Sequence, residues 1–111
     1  MRIGLCEDDD NDAERLLGYI NGFEGVSALD RYVTSEQLLD AYGNGLRYDL
    51  LFMDIQLLGM NGFDAAKKIH SDYYGERPLI VFITVTDKYV YEAYNVGWDY
   101  ACKPVDIDRI K

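Results

Sequence analysis

Five polar residues in this chain stand where apolar runs end. Glu7 and Asp8 follow Ile3–Cys6, Asp54 follows Leu50–Met53, Thr84 follows Leu79–Ile83, and Lys103 follows Tyr100–Cys102. A buried strand does not finish on a charge without cause, because an ionised group is costly to bury unless it is paired. In an open parallel sheet, functional groups gather beyond the carboxyl ends of the strands. If these strands are central neighbours, the five residues share one pocket. Carboxylates converging there repel: two unit charges about 4 Å apart cost about 4 kcal/mol at an effective dielectric near 20. A hard divalent cation relieves this. Mg²⁺ takes one or two carboxylates, keeps waters and completes its shell with phosphate oxygens. A lysine beside it can neutralise charge developing on a transferring phosphoryl group. The residue types therefore point to phosphoryl chemistry at a magnesium site. For "EDDDND" at Glu7–Asp12 a second reading stays open, a solvated helix start whose acids the helix dipole favours. Asp54 is harder to explain that way, since it directly ends an apolar run. Thr84 alone, or the Lys103-Pro104 pair alone, would be ordinary loop chemistry.

The elements that must position these residues alternate along the chain. Strands are expected at Arg2–Cys6, Ala28–Val33, Leu50–Met53, Leu79–Ile83 and Tyr100–Cys102. Ala13, Leu16, Leu17 and Ile20 recur at i, i+3, i+4 and i+7, the spacing of an amphipathic helix. Thr34 and Gln37 are spaced as a capping box before a helix with Leu38, Leu39 and Tyr42 on its apolar face. Asn61 can cap a third helix whose inward side is Phe63, Ala66 and Ile69. The residues "GERP" at Gly75–Pro78 read as a turn, and Asp87–Asn95 as a fourth helix ended by Gly97. Asp106–Lys111 reads as the opening of a fifth helix, cut off. The third and fourth strands are apolar throughout, as in a parallel sheet covered on both faces. Such alternation implies a single α/β domain over residues 1–111 with right-handed crossovers.

Composition excludes several classes. The net charge is −9, which argues against direct nucleic-acid binding, since phosphates would be repelled. No apolar stretch approaches a membrane span, and Met1–Leu5 reads as a strand rather than a leader, so a soluble cytoplasmic protein is expected. Cys6, Cys102 and the single histidine, His70, are too few and too scattered for a zinc site. The cysteines read as buried, reduced thiols. His70, beside Lys67 and Lys68, reads as a solvated side chain.

Taken together, Glu7-Asp8, "FMDIQLLGMNG" after the third strand, "VFITV" at the fourth and "DYACKP" at the fifth resemble the receiver domain of bacterial two-component response regulators. "FITVTDKYVYEAYNVG" and "DYACKP" are similar to the subgroup joined to LytTR-type DNA-binding domains. The resemblance covers essentially the whole chain. It implies a flavodoxin-like, doubly wound sheet of five parallel strands in the order 2-1-3-4-5, with the last helix truncated. It implies that Asp54 is the phosphoacceptor, attacking the phosphohistidine of a sensor histidine kinase. Mg²⁺ would be held by Asp8, Asp54 and the Gln56 backbone carbonyl, with Glu7 acting through a metal-bound water. Lys103 would pair with the acceptor carboxylate and then with phosphoryl oxygens, and Thr84 would hydrogen-bond one of them. Tyr100 would be the switch whose ring turns inward as Thr84 moves. The face of the fourth helix and fifth strand would repack and could serve a homodimer; Tyr89, Tyr91 and Tyr94, on or near it, read as partial core packing at a helix edge, with a partner or dimer surface as the alternative. DNA binding would belong to a C-terminal output domain outside these residues. Any catalysis would be confined to the domain's own phosphorylation and dephosphorylation.

Departures from the family pattern carry their own expectations. Glu7 stands where Asp is frequent. Val85 follows Thr84 where a smaller residue is usual, narrowing access to an acyl phosphate. Leu58 replaces a usual proline, which should loosen the loop after Asp54. "GWDY" is one residue short before the fifth strand. A degenerate receiver acting as a phosphorylation-independent interaction domain is the alternative. A haloacid-dehalogenase-like phosphatase would need a second Asp where Gln56 stands. A flavin-binding relative lacks its phosphate loop, because "EDDD" would repel the phosphate.

Overall fold

Strands and helices alternate from the first residues onward. The computed structural model describes residues 1–73, 75, 78–86 and 88–103, with Cys102 described by its backbone. Among these residues the elements are β1 (Arg2–Cys6), α1 (Asp10–Ile20), β2 (Ala28–Tyr32), α2 (Ser35–Gly43), β3 (Leu50–Met53), α3 (Gly62–Asp72), β4 (Leu79–Thr84), α4 (Val90–Asn95) and β5 (Asp99–Cys102). The strands form one sheet in the order β2-β1-β3-β4-β5, and every neighbouring pair is parallel. This is the flavodoxin-like order expected from the resemblance. Pro104, the expected fifth helix at Asp106–Lys111 and the turn residues Glu76 and Arg77 lie outside the described residues.

Helices α1, α2 and α3 each start where a polar side chain accepts a hydrogen bond from a backbone N–H that lacks an intrahelical partner. Asp9 accepts from the Asp12 N–H at 2.9 Å and Asn61 from the Asp64 N–H at 2.8 Å. Thr34 and Gln37 form the full capping box. Such caps are worth about 1 kcal/mol each. Four boundaries differ from the sequence expectation, and the simplest is β5, which begins at Asp99, one residue early. β2 stops before Val33, whose N–H turns to Gln37 Oε1 at 2.9 Å. β4 runs on through Thr84, because Lys103 N–H extends the ladder to its carbonyl at 2.8 Å. Helix α4 begins at Val90, after an N-cap at Tyr89 that has no side-chain cap bond, and Asp87 lies outside the described residues. Before β5, Gly97 adopts φ 82°, with the Trp98 N–H returning to the Ala93 carbonyl at 2.9 Å.

Strand alternation divides the core. On one face Ile3, Leu5, Phe52, Val81 and Ile83 pack with Ala13, Leu16 and Ile20 of α1. On the other, Cys6, Leu51, Met53, Ile80 and Phe82 pack with α2, α3 and α4 through Leu38, Tyr42, Phe63, Ile69 and Ala93. Leu17 and Leu39, expected on the inward stripes, are only partly buried. Burial of Cys6 agrees with expectation, and it pushes the thiol pKa up to about 12, aided by the charge of Glu7. His70 is a correction. It is half-buried, not solvated, because its ring stands edge-on to the buried Trp98 at 5.5 Å between centroids. Of the tyrosines near α4, Tyr89 stacks on Phe63 at 4.8 Å, whereas Tyr91 and Tyr94 are exposed. Among the described residues no helix is long and apolar enough to cross a membrane.

The first turn of α3 sits directly on the end of β3. A Cβ at Gly62 would lie 1.9 Å from the Asp54 carbonyl oxygen, a backbone atom that cannot swing away. By contrast, a Cβ at Gly18 in α1 would meet nothing within 4 Å. Gly62→Ala is therefore expected to cost about 3 kcal/mol or more in urea denaturation, through forced backbone displacement. Gly18→Ala, measured alongside, is expected to gain about 0.5–1 kcal/mol.

Candidate functional site

The sheet's hydrogen bonding continues one residue past the strand ends and carries the polar residues with it. Glu7 N–H bonds the Tyr32 carbonyl at 3.0 Å, Asp54 N–H the Cys6 carbonyl at 2.9 Å, and Lys103 N–H the Thr84 carbonyl at 2.8 Å. The carboxyl ends of the central strands are thus level, and their side chains meet. Glu7, Asp54 and Thr84 are buried. Asp8 is half-buried beside them.

Lys103 is the hub. Its Nζ donates to Asp54 Oδ2 at 2.9 Å, to Asp12 Oδ2 at 2.7 Å and to Glu7 Oε1. One ammonium thus holds three carboxylates that would otherwise repel. Burial works against its charge, but the bonds to Asp12, Glu7 and Asp54 outweigh it and hold Lys103 above the usual lysine range. Glu7 is pushed up to about 8, first by burial and next by Asp54, with Lys103 opposing both. The pocket is therefore short of positive charge even with Lys103 in place.

Glu7, Asp8 and Asp54 each offer a carboxylate oxygen, and these oxygens lie within 4.8 Å of one another. Glu7 Oε2 and Thr84 Oγ1 are buried with no hydrogen-bond partner among the described residues. An orphaned carboxylate oxygen beside an all-oxygen donor set fits a hard divalent cation. The orphaned Thr84 hydroxyl fits a further oxygen ligand at the same strand ends.

The loop after Asp54 is anchored by hydrogen bonds on both sides of Leu58. Gln56 N–H donates to Asp54 Oδ1 at 3.1 Å, and Gly62 N–H returns to the Ile55 carbonyl at 2.9 Å. Glu36 Oε1 of α2 accepts the Met60 N–H at 2.8 Å. Gly59, between these anchors, adopts φ 78°, where a side chain would be strained, and a Cβ there would lie 2.7 Å from Glu36 Oε1. Leu58 itself points to solvent.

Tyr100 is buried on the α4 face, with its ring 6.0 Å from Phe82 and its hydroxyl donating to the Thr86 carbonyl at 2.6 Å. The ring thus lies inward in this state. Glu7, Asp8, Asp54 and Lys103 converge, whereas Thr84 joins them through the backbone bond to Lys103. Asp12 and Glu36 are site neighbours that sequence reasoning missed. Asp12 reads as one more dipole-favoured acid in the run "EDDDND", and only the docking of β5 shows which of those acids reaches Lys103.

Glu7 makes the pocket pH-sensitive. Its proton is retained to about 8 in the folded protein, against 4.5 ordinarily. Between those values the folded state binds more protons than the unfolded chain, so Glu7 removes stability as pH rises. Urea denaturation in a chelating buffer is expected to show stability falling from about pH 5 to about pH 8, with the slope flattened in Glu7→Gln.

Comparison with known proteins follows the same lines. The response regulator receiver domain family matches residues 3–111. The chain is 45% identical over 64 residues to the sensory transduction protein LytT of Bacillus subtilis (strain 168), covering 57% of this chain and 26% of that protein. It is 33% identical over 103 residues to the transcriptional regulatory protein LytR of Staphylococcus aureus (strain N315), covering 91% and 39% respectively. The chain thus spans less than half the length of these curated relatives. The response regulatory domain of protein mrkE from Klebsiella pneumoniae superposes with a TM-score of 0.89 at 25% identity, over 99% of this chain and 88% of that one. With matched residues from β1 to the chain's end, a sheet in the order 2-1-3-4-5 and acids and lysine gathered at its carboxyl edge, the chain belongs to the response regulator receiver domain family.

Proposed function

We propose that Asp54 accepts a phosphoryl group from the phosphohistidine of a sensor histidine kinase. The carrying observation is that Asp54, buried at the end of β3, is held by Lys103 with oxygens of Glu7 and Asp8 within 4.8 Å. In the transfer, an Asp54 carboxylate oxygen forms the new P–O bond and the P–N bond of the donor breaks. The imidazole leaves with the bonding pair and takes its proton from solvent. Asp8, Asp54 and the Gln56 carbonyl would hold Mg²⁺, with Glu7 reaching it through water. Bound there, Mg²⁺ supplies charge stabilisation for the transferring phosphoryl oxygens. Lys103 shares that task by moving its contacts from Glu7 and Asp12 toward the phosphoryl group. The nucleophile is activated by position and by its cations, with no neighbouring base needed.

The output follows from charge. An aspartyl phosphate adds roughly −1.5 to −2 charges and new acceptor oxygens. Thr84 Oγ1, which is buried without a partner among the described residues, is ready to donate to one of them. Movement of Thr84 shifts the β4–α4 loop, and that loop holds Tyr100 through the Thr86 carbonyl. The α4/β5 face then repacks around Tyr100. The exposed Tyr91 and Tyr94 on this side suit a partner or a second copy of the chain. We assign DNA binding to an output domain beyond these residues, in keeping with the transcriptional regulatory protein LytR as a relative, and place the protein in the cytoplasm. The −9 charge keeps this domain off nucleic acid.

The test is intact-mass measurement after incubation with acetyl phosphate or phosphoramidate. A single phosphoryl adduct is expected, lost without Mg²⁺ and lost in Asp54→Asn. No adduct on folded protein would instead favour a phosphorylation-independent interaction domain. Val85, exposed directly after Thr84, is expected to shield the acyl phosphate from water. Val85→Ala should lose its phosphoryl group severalfold faster by the same mass measurement, and a slower loss would remove Val85 from that role.

A further inference from the structure

Arg31 belongs to β2, an edge strand that contributes none of the acidic pocket, yet its guanidinium reaches across to the loop that carries two of the acids. Its Nε and one terminal nitrogen donate to the Glu7 carbonyl at 3.1 and 2.9 Å. The other terminal nitrogen meets Asp10 Oδ1 at 2.8 Å. The Glu7 N–H is meanwhile bonded to the Tyr32 carbonyl at 3.0 Å. Both backbone groups of Glu7 are therefore fixed by adjacent residues of one strand. The guanidinium is the only part of this arrangement that does not follow from strand pairing, because Arg31 pairs in register with Leu5.

The contact has a specific geometry. A planar guanidinium giving two converging N–H bonds to one carbonyl oxygen fixes that oxygen in direction as well as distance. The peptide so fixed is the one joining Glu7 to Asp8. Its orientation sets where the Glu7 side chain turns toward Lys103 and where Asp8 enters the pocket. Asp10, on the far side of the guanidinium, is highly exposed, so that ion pair alone is worth little. The investment of a partly buried arginine is in the Glu7 carbonyl.

We propose that Arg31 is a positioning residue for the metal-binding carboxylates, acting through the Glu7–Asp8 peptide and not through its charge. This rests on the reading of the pocket as a magnesium site. Charge and position predict opposite signs, which makes the proposal testable. Removing a cation near a Mg²⁺ site should tighten Mg²⁺ by simple electrostatics. Releasing the peptide that aims two ligands should weaken it, and loss of outer partners of metal ligands typically costs 10–100-fold in affinity.

The experiment is calorimetric titration of the whole chain with MgCl₂, for wild type, Arg31→Gln, Arg31→Lys and Asp8→Asn, with urea melts in chelator to establish folding. The expected order of affinity is wild type, then Arg31→Lys, then Arg31→Gln, the last about tenfold weaker than wild type. Arg31→Lys keeps the charge and one donor, so its partial loss separates position from charge and decides the matter should Arg31→Gln not fold. Arg31→Lys binding as tightly as wild type, or Arg31→Gln binding as tightly or more tightly, would overturn the role of Arg31 and leave the magnesium site standing. A folded wild type that takes up no Mg²⁺, or an Asp8→Asn variant that binds as well as wild type, would overturn the magnesium reading itself and the role of Arg31 with it.

Discussion

The ammonium of Lys103 is the interaction on which the carboxyl edge of the sheet depends. Glu7 and Asp54 directly follow β1 and β3, and Asp12 lies in α1; without a cation among them their charges would drive those elements apart. With Lys103 inserted, the acids can be brought close enough to act as one donor set. The lysine does not fully satisfy them. One Glu7 oxygen remains without a partner among the described residues, and Glu7 holds its proton far above the usual carboxylate range. The site is thus neutralised enough to fold and still attractive to a second cation. A receiver needs both properties, since the same oxygens must be stable before phosphorylation and available to metal and phosphoryl group during it.

The two faces of the sheet divide the work. The α1 face supplies packing for β1, β3 and β4 through Ala13, Leu16 and Ile20. The opposite face carries an aromatic cluster in which Phe63 contacts Phe82, Tyr89 and Trp98. Tyr89 N-caps α4, and its hydroxyl is within 3.4 Å of Asn61 Nδ2, the cap residue of α3. The loop after Asp54 and the loop after Thr84 are therefore joined by side chains as well as by the sheet. A charge change at Asp54 has a short material route to α4.

The fold and the acidic pocket were legible for different reasons. Fully apolar strands at Leu50–Met53 and Leu79–Ile83, and a capping box at Thr34 and Gln37, are local signals that tertiary packing confirms. Asp54 was legible because a charge at the end of an apolar run needs a cause. Asp12, Glu36 and Arg31 were not, because nothing in their neighbourhoods marks them. Glu36 acts on Met60 and Arg31 on Glu7, each across 24 positions in sequence. His70 failed for a related reason: adjacent lysines indicated solvent, but Trp98, brought in after Gly97, covers one edge of the ring. Spacing reveals helix faces and strand ends. It does not reveal which distant side chain closes over them.

The position of Lys103 has a consequence for how the chain acquires its structure. Its contact with Glu7 spans 96 positions, nearly the full length described. Contacts of such separation come late, because the intervening chain must be ordered first. Without Lys103, the strand ends that carry Glu7 and Asp54 would present acids without their counter-charge. Among the described residues, β5 therefore brings the counter-charge of Lys103 as well as the pairing with β4. Docking of β5 and assembly of the acidic pocket are thereby coupled, so a chain without β5 in place lacks a finished pocket.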